Sequence, residues 1–115
     1  MDPAELSEHR AVAVTRAASL GRELESLAQE QSLTSHDDEH DPEGVTIAVQ
    51  RAQLQGQLEA ARRDVTDLDR AAERLRSGTY GRCEVCGGPI ADERLEALPA
   101  TTTCIGCAGR TRRRR

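Results

Sequence analysis

Three features of the sequence predict an all-α-dominated fold, an antiparallel two-helix coiled-coil hairpin joined to a small four-cysteine finger. The 115 residues include a single aromatic, Tyr80, and neither Phe nor Trp, although 37% are hydrophobic and 31% charged. An apolar set of mostly Ala, Leu and Val, spaced in heptads, builds long solvated helices rather than a bulky globular core. The third feature is a pair of Cys-x-x-Cys motifs near the C-terminal end. The expected organisation is a hairpin over 1–78, a finger over 79–109 and a basic tail over 110–115.

Helix one is expected at about 3–33, where Leu6, Ala13, Ala17, Leu20, Leu24 and Leu27 repeat a heptad stripe. Asp2-Pro3 followed by Glu5 supplies an N-cap, a proline at the first helical position and a capping-box partner. Helix two is expected at about 42–77. Its stripe is stronger: Ile47, Arg51, Leu54, Leu58, Ala61, Val65, Leu68, Ala72 and Leu75 alternate steps of four and three, with Arg51 alone out of character. Asp41-Pro42 repeats the cap and proline, and Gly78 offers a stop. Such a seam also suits a parallel homodimer; two arms of similar length around a short polar break favour a hairpin within one chain, and hence a monomer.

The break carries the sharpest charge feature. Asp37, Asp38, Glu39, Asp41 and Glu43 place five acids in seven residues, within a tip at 34–43, and no arginine occurs from 31 to 50. One reading is a solvated turn. The other is a carboxylate cluster presented on a stiff helical pair, with Asp38 and Asp41 as the functional carboxylates.

Across residues 1–78 there are 9 arginines against 16 acids, and across 79–115 there are 7 against 4, so the net charge of −4 hides two parts of opposite sign. Phosphate contacts need positive charge, so residues 1–78 are poor candidates for nucleic-acid binding. No window is long and apolar enough for a membrane span, and the acidic N-terminus does not read as a signal peptide. A cytoplasmic protein is expected, where paired thiols are metal ligands more often than disulfides.

Cys83-Glu84-Val85-Cys86 and Cys104-Ile105-Gly106-Cys107 are separated by 17 residues, the spacing of a four-cysteine zinc site. Each pair is expected to wrap a tight turn, helped by Gly87 and Gly106. Four thiolates fill a tetrahedral shell and leave no position for water or substrate, so one structural Zn2+ per chain is expected on Cys83, Cys86, Cys104 and Cys107. Iron in a thiolate shell is chemically compatible with the same spacing. A thioredoxin-like redox pair would need a β-α-β surround, which the sequence lacks. The apolar side chains available for a core at this end are Tyr80, Ile90, Leu95, Leu98 and Ile105. His9, His36 and His40 lack ligand spacing to the cysteines. With a closed metal shell and no nucleophile–base pair, the chain is not expected to be an enzyme.

The stretch Gly78-Thr79-Tyr80-Gly81-Arg82-Cys83-Glu84-Val85-Cys86-Gly87, with Ile90, Arg94-Leu95-Glu96-Ala97-Leu98-Pro99 and the second cysteine pair, resembles the DksA/TraR zinc-finger family. In architecture the resemblance covers roughly residues 20–108. It implies a bacterial regulator that binds RNA polymerase without specific DNA binding, inserting its coiled coil through the secondary channel so that an acidic tip approaches the catalytic region. Some members of the family respond together with the alarmone ppGpp, which is therefore a candidate co-ligand. Better-known relatives carry Asp-x-x-Asp-x-Ala at the tip; here Asp38 and Asp41 keep both aspartates, and Glu43 stands at the alanine. After Cys107 eight residues remain, ending in Arg112-Arg113-Arg114-Arg115, so the C-terminal helix of longer relatives is largely missing. These arginines read as a solvated end or as a contact to an acidic surface or nucleic acid. A zinc-ribbon nucleic-acid binder using Arg110 and Arg112–Arg115, with a dimerising coiled coil, is the alternative.

Overall fold

The computed structural model describes residues 1–34 and 42–113. In chain order they form α1 (Pro3–Thr34), α2 (Pro42–Ser77), α3 (Asp92–Ala97) and α4 (Ile105–Arg113). Among the described residues there is no strand, only an isolated antiparallel bridge between Arg82 and Pro89. The acidic residues Asp37, Asp38, Glu39 and Asp41 lie outside the described residues. Glu43 falls in the first turn of α2.

The chain divides into two compact units, one of residues 12–63 and one that joins residues 1–11 to 64–115. Within the first, Leu20, Leu58 and Ala61 are buried together, with Ala17, Leu24 and Leu54 packed against them. All six lie on the heptad stripes. The Arg51 guanidinium donates to Gln31 Oε1 at 3.2 Å, so rising numbers on α1 meet falling numbers on α2 and the pair is antiparallel. Arg51, out of place as a seam residue, is thus exposed and reaches across to its partner helix rather than into a core.

In the second unit α1 begins with Asp2 Oδ1 accepting the Glu5 N–H at 2.9 Å, which satisfies one of the helix's orphan donors. Leu6, Leu68 and Ala71 are buried here, and Arg10 pairs with Asp69 at 2.6 Å. Arg76 and Glu73 pair on the exposed face of α2. The end of α2 is a Schellman stop: Gly78 has φ +79, its N–H donates to Leu75 O at 3.4 Å, and the Thr79 N–H donates to Arg74 O at 2.9 Å. A side chain at that φ would be strained, which is why glycine ends the helix.

Two details depart from the sequence reading. Gly106 lies in the first turn of α4 and not in a tight turn, because the second cysteine pair opens a helix. The backbone also stays helical through Arg113, so Arg110, Arg112 and Arg113 are carried on α4, whereas the sequence left them on a tail.

Candidate metal centre

The first cysteine pair is built on a reversing loop. The Cys83 N–H donates to Gly88 O at 2.8 Å, and the Gly87 N–H returns to Cys83 O at 2.9 Å. Gly87 adopts φ +75, the left-handed conformation that closes this loop. The second pair straddles a helix start, where the Ala108 N–H bonds Cys104 O at 2.9 Å. The two loops are tied directly by the Glu84 N–H donating to Thr102 O at 2.8 Å.

This arrangement brings the Sγ atoms of Cys83, Cys86, Cys104 and Cys107 within 4.8 Å of one another. Cys86 and Cys104 sulfurs are 3.9 Å apart, and all four thiols are free of disulfides. A tetrahedral zinc with Zn–S bonds of about 2.3 Å has sulfurs roughly 3.8 Å from each other, so the cluster has the size and the donor chemistry of a four-thiolate zinc site. The four sulfurs fit one ion with no open position for substrate.

The sulfurs differ in their surroundings. Backbone N–H groups of Cys86 and then Cys104 draw the Cys83 thiol down to about 6, and that of Cys107 lowers Cys104. Burial pushes Cys107 up to about 11. Arg110 donates to the Cys107 sulfur at 3.2 Å, and the Gly88 N–H donates to the Cys86 sulfur at 3.4 Å. Such outer donors spread the charge of a thiolate and orient it toward a metal.

A small core supports the loops. Ile90, Leu95, Cys83 and Cys107 are buried, with Tyr80 and Cys104 packed against them. Leu98 and Ile105, which the sequence offered for the same core, are exposed instead, Ile105 at 78%. Residue 105 sits between two ligands whose side chains turn inward, which leaves its own pointing out. Sequence reasoning also gave no role to Arg94, quoted only within the family stretch, whose Nε donates to Thr103 O at 2.9 Å. It likewise passed over Arg74, whose Nη2 donates to Arg82 O at 2.8 Å. Neither belongs to a periodic pattern, and a long side chain reaching a backbone carbonyl leaves no spacing signal.

Residues 78–113 match the prokaryotic dksA/traR C4-type zinc-finger family. The chain is 35% identical over 79 residues to general stress protein 16O of Bacillus subtilis (strain 168), an overlap of 68% of this chain and 48% of that protein. It is 40% identical over 53 residues to RNA polymerase-binding transcription factor DksA of Caulobacter vibrioides (strain NA1000 / CB15N), 46% of this chain and 37% of that protein. Its matches thus span less than half the length of these curated relatives. Among solved structures, transcription factor DksA2 from Pseudomonas aeruginosa aligns with 98% of this chain and 87% of its own, at a TM-score of 0.55 and 26% identity. With two long helices packed together and four cysteines gathered for one zinc, the chain is built like the DksA proteins, and its residues 78–113 belong to the dksA/traR C4-type zinc-finger family.

Proposed function

We propose that this protein is a non-enzymatic, cytoplasmic regulator of bacterial transcription that binds RNA polymerase. The observation that carries this reading is the pairing, on one chain, of a two-helix unit with a four-thiolate centre. A solved transcription factor, DksA2, aligns with 98% of the chain. A relative that matches 46% of the chain is itself named as RNA polymerase-binding.

In this reading the acidic segment between α1 and α2 enters the secondary channel. Asp38 and Asp41 act on the catalytic region, with Asp37, Glu39 and Glu43 as supporting charge, and ppGpp is a candidate co-ligand. The closed thiolate shell serves structure, because zinc with four sulfur ligands has no site for a substrate. No described helix is long and apolar enough to cross a membrane. Packing of Ala17, Leu20 and Leu24 on α1 against Leu54, Leu58 and Ala61 on α2 of the same chain favours this reading over the alternative with a dimerising coiled coil.

In vitro transcription with the cognate polymerase tests the proposal, on a ribosomal and an amino-acid-biosynthesis promoter, with and without ppGpp. Wild type should change transcript yield at one or both promoters. The Asp38→Asn/Asp41→Asn protein should bind polymerase nearly as well and lose the effect. A double variant with full regulatory activity would reduce the acidic segment to a solvated turn.

A further inference from the structure

We propose that Arg74 is a positioning residue of the metal centre, coupling zinc occupancy to order in the last turns of α2. The residue works from both its backbone and its side chain. Its carbonyl accepts the N–H groups of Thr79 at 2.9 Å and Tyr80 at 3.1 Å, and the Ser77 hydroxyl at 3.1 Å. Its guanidinium turns into the loop that follows, where Nη2 donates to Arg82 O at 2.8 Å and lies 3.5 Å from Thr79 O. Nη1 is buried and, among the described residues, has no hydrogen-bond partner. The guanidinium is therefore turned into the finger, with Nη2 on its backbone and Nη1 buried.

What makes this contact consequential is the peptide unit it grips. The carbonyl of Arg82 and the N–H of Cys83 belong to one planar amide. Arg74 holds the oxygen end, and Gly88 O holds the N–H end at 2.8 Å. Gly88 in turn donates its own N–H to the Cys86 sulfur at 3.4 Å. A continuous hydrogen-bonded path thus runs from the last turns of α2 through residues 82, 83 and 88 to two of the four thiolates. When the thiolates gather on zinc the Arg82–Cys83 amide is fixed, and Arg74 is held with it. When they separate, the guanidinium loses its acceptor and the end of α2 loses an anchor. Coupling of this kind is reciprocal, so Arg74 must also favour zinc binding.

The test is hydrogen exchange on the full-length protein, zinc-loaded and chelated, read in peptides covering 70–77. Wild type should exchange at least about tenfold faster there after chelation, and Arg74→Met should show a ratio below about two, with zinc affinity reduced about tenfold, as for loss of an outer-sphere contact. A role in helix stability alone would speed exchange in both states and leave the ratio unchanged. An unchanged ratio in Arg74→Met, or no zinc response in wild type, overturns the proposal. If Arg74→Met takes up no zinc, Arg74→Lys decides. Lysine keeps the charge and stem but has no fork to replace the guanidinium's contacts, so its ratio must fall between the two, and a wild-type ratio overturns the coupling.

Discussion

The hydroxyl of Tyr80 donates to the carbonyl of Pro99 at 2.7 Å. The bond joins the Gly-Thr-Tyr-Gly lead-in to the end of the Arg-Leu-Glu-Ala-Leu-Pro stretch, two segments that in sequence look unrelated. Burial raises the phenol's pKa, as befits a proton held in a half-buried hydrogen bond. Tyr80→Phe keeps the ring in the small core and deletes this bond. The finger should lose about 1 kcal/mol, typical of one hydrogen bond, seen as a lower midpoint in a denaturant titration of the zinc-loaded protein.

Metal removal should act on one part of the chain. Cysteine ligands are usually worth more than the burial that Ile90, Leu95 and Tyr80 supply, since structural zinc contributes roughly 10–16 kcal/mol of apparent binding free energy in small peptides. Chelation, or Cys107→Ser, should abolish protection across 79–109. Helical signal from the Leu20–Leu58–Ala61 cluster should persist in part, and circular dichroism with metal analysis reads both.

The two-helix unit rests on few side chains. Leu20→Ala opens a hole against Leu58 and Ala61, and with little surrounding structure to collapse into it the cost should be about 2–3 kcal/mol. Thermal unfolding followed at 222 nm should show the loss, whereas zinc content of the purified protein should not change.

Much of this was legible in the sequence, for reasons that differ by residue. Leu20, Leu58 and Ala61 were readable because burying a stripe on a long helix forces the period of three and four. Gly78 was readable because a left-handed residue ends a helix most cheaply as glycine. Ala71, buried at 1% exposure, was not. It lies off the heptad stripe, about one turn before Arg74 on α2. The cysteine spacing pointed to the metal centre but not to its asymmetry, in which one pair sits on a loop and the other on a helix start. That asymmetry, and the donors Arg74 and Arg94, arise from three-dimensional reach and not from spacing, whereas Arg110 meets Cys107 one helical turn back on α4.

The N-terminal cap predicts an acid response. The Glu5 backbone N–H at its carboxylate lowers Asp2 from its ordinary value of 3.8. A depressed folded-state value means that the cap's contribution is present above the unfolded value and is lost as pH falls through the folded one. Asp2→Asn still accepts the bond but carries no titratable charge. Melting temperatures compared between about pH 2 and 6 should converge for the two proteins at the acid end, with wild type the more stable at the upper end. Zinc loss on acidification is common to both and cancels in the comparison.

Site-specific photocrosslinking reads whether the acidic segment enters polymerase. A photoreactive amino acid is placed at position 39, leaving Asp38 and Asp41 in place, and the protein is irradiated in complex with the cognate RNA polymerase. Crosslinks to the subunits that line the secondary channel, near the catalytic centre, are expected, and so is their loss when a known channel-binding factor competes. Crosslinks confined to the outer surface of polymerase, or none from a protein that still binds it, would mean that the acidic segment stays outside the channel.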